Sequence, residues 1–445
     1  MFGNLFGQRS DAALPSFTDD APSWEKLDTK LRELEPRDER NEFDLKKQGR
    51  GGPSHKANLR LFDAPEGTKP LVTLYRDQAA WCPYCFKTWY QLEEKRIPYE
   101  VVKNPLSCYG SKSPEFFRVS PSGQMPVAII KGRVVSESNL IMEQLEAEFP
   151  SNNPLLPPAG SKERERVAPL LRLERRLFSS WFSWLTSRAS GGGAAKEMDE
   201  LFKLVDAELK AGGGPYFLGH TFSLVDIMFS PFLERMAASL PYFKGFEARS
   251  SKYPHLLRWY ESMDLRPAYA GIKSDYYSHC HDLPPQIGNC FFTPEAQPFA
   301  QEIDGGCWDV IKDPATCLEP MLPSDSLQAR RDAVRNLLEN HQSVVKFACR
   351  GAGSAGVPGV RAELADPNAS PNLSLVPPVD YALRIVVHNL LESSPTSLRK
   401  EGLPAPDKVA QCLAYLRDRV GVPRDMTVHG ARQFRAFLNL AISQL

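Results

Sequence analysis

The chain has 445 residues, too many for one compact core, and its length is that of two to three domains. It is 42% hydrophobic and 24% charged, with 54 basic against 54 acidic side chains, which excludes a chain-wide electrostatic grip on nucleic acid or an anionic membrane. Nine cysteines, an odd number without the dense spacing of a secreted disulfide scaffold, point to a reducing compartment with most thiols free. No apolar run approaches the ~20 residues that span a bilayer, so no transmembrane segment is expected.

The first ten residues, Met1 to Ser10, look like a targeting start. Asp11, Asp19 and Asp20 follow at once, whereas transit peptides are poor in acids, so no complete targeting peptide is read. Residues 1–66 form a charged, turn-rich extension, with a short helix from Trp24 to Leu34 and a loop at Gly49 to Ser54.

Residues 67–150 carry the clearest pattern. Leu71 to Tyr75 is a short β-branched, apolar run and reads as a strand. A helix is expected to begin near Cys82, with Pro83 in its first turn, where a missing N–H costs nothing. Tyr99 to Val102 is a second strand, and Pro114 opens a short helical turn. Val127–Ile130 and Arg133–Val135 flank Lys131-Gly132, a two-residue hairpin signal. Ser138 to Phe149 closes the unit as a helix. The order β-α-β-α-β-β-α is that of an α/β thioredoxin-like domain.

Residues 151–290 read as all-helical. Helices are predicted over Lys162–Arg188, Ala195–Leu209 and Pro254–Met263, with glycine breaks at Gly191–Gly193 and Gly212–Gly214. Ser223-Leu224-Val225-Asp226 is a variant capping box, with Phe222 placed to staple against the next turn. Residues 284–300 read as a linker. Residues 300–445 form a further, mostly helical domain, with a helical stripe from Leu327 to Ala348 and helices at Tyr381–Leu391, Lys408–Val420 and His429–Leu440. Gly351 to Pro378 reads as a long mobile loop.

The chemistry concentrates at Trp81-Cys82-Pro83-Tyr84-Cys85. A cysteine at the first turn of a helix lies among unpaired N–H groups and the positive end of the macrodipole, both of which favour thiolate. Such sites bring a cysteine pKa from ~8.5 to as little as ~3.5–7.5. Cys85, nearly one turn on, can resolve a mixed disulfide formed by Cys82. The competing reading is half a zinc site, which needs a second pair of ligands. Cys108 stands alone, and His279-Cys280-His281 alternates around a helix and is read as an ordinary polar helix end. No metal is expected.

Further along, Met125-Pro126 sits at the start of a strand, and in thioredoxin-like folds that proline is cis. The Met125 N–H and C=O can then pair with a peptide ligand as an added strand does. Glu137-Ser138 opens a helix, with Ser138 read as the cap. A helix N-terminus binds carboxylates and Glu137 can pair with an ammonium, so the two suit the α-amino acid end of a γ-glutamyl group. Tyr84 either packs over such a ligand or shields Cys82. Trp181, Phe182 and Trp184 are read as core.

In order and spacing these residues resemble the glutathione transferase superfamily, specifically its cysteine-dependent classes. The full layout, with residues 77–103 and 412–442 carrying the likeness, is most similar to the Iota class of photosynthetic organisms, which has an extra C-terminal domain. The resemblance implies glutathione as co-substrate and a disulfide or oxidised small molecule or protein as acceptor. It implies thioltransferase, deglutathionylation or dehydroascorbate-reducing activity with Cys82 as nucleophile, in a chloroplast or the cytoplasm. Related enzymes often have a lysine just before the Pro-Glu-aromatic step, for the glycyl carboxylate. Here Ser113 holds that place and Lys112 is shifted by one. A second reading keeps the fold as a binding or scaffold protein. In it, residues 300–445 dock a protein partner or the helical pocket carries a small ligand.

Overall fold

Hydrogen-bonding capacity at strand ends and apolar periodicity decide the layout in the computed structural model, which describes residues 17–188, 192–320, 326–360, 362–392 and 396–445. The targeting-like start, Asp11 and Gly191 lie outside those residues. The chain begins with α1 (Trp24–Leu34) and α2 (Arg37–Lys47), then β1 (Leu59–Arg60), β2 (Val72–Asp77), α3 (Pro83–Lys95) and β3 (Tyr99–Asn104). It continues through α4 (Pro114–Val119), β4 (Val127–Ile130), β5 (Arg133–Ser136) and α5 (Ser138–Glu148).

The sheet order is β1-β3-β2-β4-β5, with β2 parallel to β3 and antiparallel neighbours elsewhere. This is the expected thioredoxin-like unit with one added edge strand, β1. That edge is tied down by charge. Arg60 is buried and bidentate to Glu93 at 2.8 and 2.7 Å, and the Tyr99 hydroxyl donates to the same carboxylate at 2.6 Å. A buried pair of this kind needs such extra hydrogen bonds to offset its desolvation.

Helices follow: α6 (Lys162–Leu185), α7 (Gly192–Gly212), α8 (Leu224–Lys244), α9 (Pro254–Asp264), α10 (Pro267–Ile272) and α11 (Tyr276–Ile287). Every residue of α8 is buried, its charged residues Asp226, Glu234, Arg235 and Lys244 included. Asp226 locks its start: the carboxylate accepts Ser223 N–H (2.9 Å), Ser223 Oγ (2.8 Å), Phe217 N–H (3.1 Å) and Trp259 Nε1 (3.0 Å). Trp181 and Trp184 are core residues, while Phe182 is more than a third exposed. The α6 helix ends at Leu185, ahead of the predicted Arg188, and α7 begins at Gly192, ahead of the predicted Ala195. The α10 and α11 helices were not anticipated as separate elements, and α11 runs four residues into the stretch read as linker.

After α12 (Gln297–Gln301) come α13 (Ser326–Leu338), α14 (His341–Ala348), α15 (Val376–Leu391), α16 (Pro406–Arg417) and α17 (Val428–Ser443). These last five share a core of their own, and Leu27 and Leu31 of α1 belong to it. Helix α1 of the N-terminal extension is therefore a structural part of the C-terminal helices. Arg335 pairs with Glu35 and Arg331 with Glu39 across the same contact. The long loop after α14 is pinned rather than loose: Ser354 and Ser370 exchange two backbone hydrogen bonds, and Asn372 N–H bonds to Cys349 C=O at 3.0 Å. Cys307 and Cys317 form a disulfide; the other seven described cysteines are free.

Candidate active site

Asp77 ends β2, and its Oδ2 accepts the Trp81 N–H at 2.7 Å, which ties the strand to the turn before α3. Cys82 is the N-cap of α3, with φ −75° and ψ 119°, and Pro83 takes the first helical position. The Cys82 sulfur accepts the Cys85 N–H at 3.5 Å, one of the donors that a helix start leaves unpaired. Cys85 is buried beneath it. Burial, together with the Cys82 sulfur beside it, pushes the Cys85 thiol well above its usual range.

The turn is held from several sides. Trp81 C=O accepts Arg235 Nη2 of α8 at 2.6 Å and Gln286 Nε2 of α11 at 3.2 Å, while its Nε1 donates to Val422 C=O at 2.9 Å. Tyr109 packs on the Trp81 ring at 5.4 Å and donates to the buried Asp282 carboxylate at 2.7 Å; burial raises that acid to about 7. Cys108, beside this cluster, is half-buried, and desolvation pushes its thiol up to about 11.

The Met125–Pro126 peptide is cis, as expected. Among the described residues no turn or loop hydrogen bond uses Met125 N–H or C=O. Glu137, not Ser138, is the N-cap of α5. It stands exposed at φ 70°, an uncommon conformation for a residue with a Cβ, and Ser138 is buried at the first helical position. A preceding residue in the left-handed region moves the cap back by one, a shift that side-chain preferences alone do not reveal. Tyr84 is half-buried and edge-on to Phe232 at 5.9 Å. Lys112 turns back to Ser107 Oγ at 2.9 Å, and Ser113 caps α4 by accepting Phe116 N–H at 3.2 Å.

Sequence reasoning missed Asp77, Lys87, Arg235, Gln286 and Val422. Lys87, on α3, is buried. Its Nζ bonds to Asn139 Oδ1 at 3.0 Å and stands 5.3 Å from the Tyr84 ring centroid. Burial pushes its ammonium down to about 8, and the charges of Glu174 and Cys82 oppose that shift. Position five after Cys82 on a helix was the available signal. His279 and His281 are not a polar helix end. His279 is buried against Glu234 at 2.6 Å, and His281 sits between Asp304 (2.8 Å) and Glu363.

The N-terminal domain family of glutathione S-transferases matches residues 81–148, and the C-terminal domain family matches residues 163–262. Glutathione S-transferase DHAR3, chloroplastic, of Arabidopsis thaliana is 27% identical over 195 residues, 44% of this chain and 69% of the relative. Glutathione S-transferase L1 of the same plant is 28% identical over 216 residues, 48% of this chain and 84% of the relative. The crystal structure of glutathione transferase Omega 3C from Trametes versicolor is 26% identical, covers 47% of this chain and 91% of its own, and has a TM-score of 0.40. Residues 81–148 and 163–262 of this chain are therefore similar to the N-terminal and C-terminal domains of glutathione S-transferases.

Proposed function

We propose that this chain is a glutathione-dependent thiol–disulfide oxidoreductase of the cysteine type, with Cys82 as nucleophile. The observation that carries the reading is the Cys82 sulfur at the N-terminus of α3, bonded to the Cys85 N–H. Glutathione is the co-substrate, bound along Met125 and Pro126 by its peptide groups. Glu137 and Ser138 take its γ-glutamyl end, Tyr84 flanks it, and Lys112 supplies a cation for the glycyl end.

In turnover, the Cys82 thiolate attacks the glutathione sulfur of a mixed disulfide. The old S–S bond breaks, the acceptor leaves as a thiolate that takes up a proton, and a Cys82–glutathione disulfide forms. A second glutathione thiolate attacks that disulfide, releasing oxidised glutathione and the Cys82 thiolate. Dehydroascorbate as acceptor draws the same two electrons from two glutathiones. Conjugation to electrophiles fits less well, because it needs a hydroxyl to activate the glutathione thiol, and a cysteine thiolate forms a disulfide with it instead. The layout suits the Iota class and a plastid setting.

Cys82→Ser is expected to abolish turnover in hydroxyethyl disulfide and dehydroascorbate assays. Full activity in that variant would sink the assignment.

A further inference from the structure

The segment from Asp418 to Asp425, between α16 and α17, presses on Trp81, the residue before the nucleophile. Val422 and Trp81 are 341 positions apart in sequence. Val422 C=O accepts both Trp81 Nε1 and Ser274 Oγ, and Val422 N–H donates to Ser278 Oγ at 3.0 Å. The Arg424 guanidinium stands 4.9 Å from the Trp81 ring centroid, and Arg424 is held there by Leu364 C=O (3.2 Å) and Asp425 (2.8 Å). A Cβ on Gly421 would collide with Cζ2 of Trp81 and lie 3.1 Å from Cη2. The segment is itself anchored: Arg435 Nη2 donates to Val420 C=O at 2.6 Å, and Tyr277 Oη to Asp418 C=O at 3.0 Å.

We propose that residues 418–425 are a positioning element for Cys82, so that the C-terminal helices complete the active site rather than merely accompany it. Trp81 N–H and C=O are fixed by Asp77, Arg235 and Gln286. The indole is the remaining handle on the turn that presents the sulfur, and only the C-terminal segment's carbonyl bonds its N–H among the described residues. A displacement of ~1 Å at a reacting atom lowers rate by about 100-fold. The inference rests on Cys82 being the nucleophile, as proposed above.

The test is a double-mutant cycle on the full-length chain, read as glutathione-dependent turnover of hydroxyethyl disulfide. Gly421→Ala is expected to lower kcat by about 10- to 100-fold, with KM for glutathione within about twofold, because Met125, Glu137 and Ser138 are untouched. Trp81→Phe also lowers kcat, and the double variant is no slower than Trp81→Phe alone, since the smaller ring leaves room for the new methyl. Arg424→Met lowers kcat and Arg424→Lys restores part of it, which keeps the test open if Gly421→Ala fails to fold. Val357→Ser, at a highly exposed position of the C-terminal region, matches wild type. Wild-type kcat in folded Gly421→Ala and Arg424→Met overturns the inference, as does strict additivity of the Trp81 and Gly421 changes. A wild-type chain with no turnover and no glutathione adduct on Cys82 overturns the proposed function instead.

Discussion

Cys82 and Cys85 differ in surroundings more than in sequence position. Both are buried, but Cys82 caps a helix with its sulfur accepting the Cys85 N–H, whereas the Cys85 thiol is held well up by desolvation. A thiol that stays protonated at neutral pH is a poor resolving nucleophile. Cys85→Ser is therefore expected to keep turnover within about threefold, and intact-mass analysis after oxidised glutathione should show one glutathione on Cys82. A Cys82–Cys85 disulfide without an adduct would mark a dithiol route. Lys87 carries a second residue-level expectation. Its ammonium is depressed to about 8 by burial, so between about pH 8 and 10.4 the unfolded chain binds more protons than the folded one. Stability therefore rises with pH across that window, and below it the burial penalty is fully present, at most about 3 kcal/mol. Lys87→Met should raise Tm at pH 7, with the gain fading above pH 10.

At the scale of elements, α11 is the seam of the molecule. Its His281 joins Asp304, just after α12, to Glu363 in the loop before α15. The two carboxylates outweigh burial and raise the imidazole to about 9. A group raised above its unfolded value of ~6.5 contributes stability that is complete below that pH and lost as pH climbs through 9. The size is of the order of 3 kcal/mol. Urea midpoints are expected to fall between pH 6.5 and 9.5, and to fall less steeply in His281→Phe. Hydrogen exchange should locate the loosened contact at residues 302–306 and 362–366.

For the whole molecule, the decisive contact is the ion pair of Arg435 on α17 with Asp275, the N-cap of α11, both buried. Removing the cation strands a buried carboxylate, which costs about 3–5 kcal/mol. Arg435→Met should lose roughly that much in urea unfolding. Adding Asp275→Asn should recover most of it, because the amide oxygen can still accept the Ser278 N–H. The same contact positions Val420 and hence the segment on Trp81, so Arg435→Met should lower turnover along with stability.

Much of this protein was legible in its sequence because the signals are local. A cysteine and proline opening α3, a proline opening β4, an acid and serine opening α5 and the Ser223–Asp226 box are contiguous stretches whose chemistry follows from helix and strand ends. Those stretches by themselves determined the thioredoxin-like unit and the helical unit after it, and they place Cys82, the proposed nucleophile, at the start of α3. The tertiary structure decided what covers each apolar face, since periodicity states that a face is buried and not by what. So α1 turned out to belong with the C-terminal helices, and His279 proved to be buried and His281 half-buried between elements. Trp81 is gripped by Arg235, Gln286 and Val422, at 154, 205 and 341 positions' remove. Contacts across such distances are set by packing of whole elements, and no local pattern in the chain encodes them.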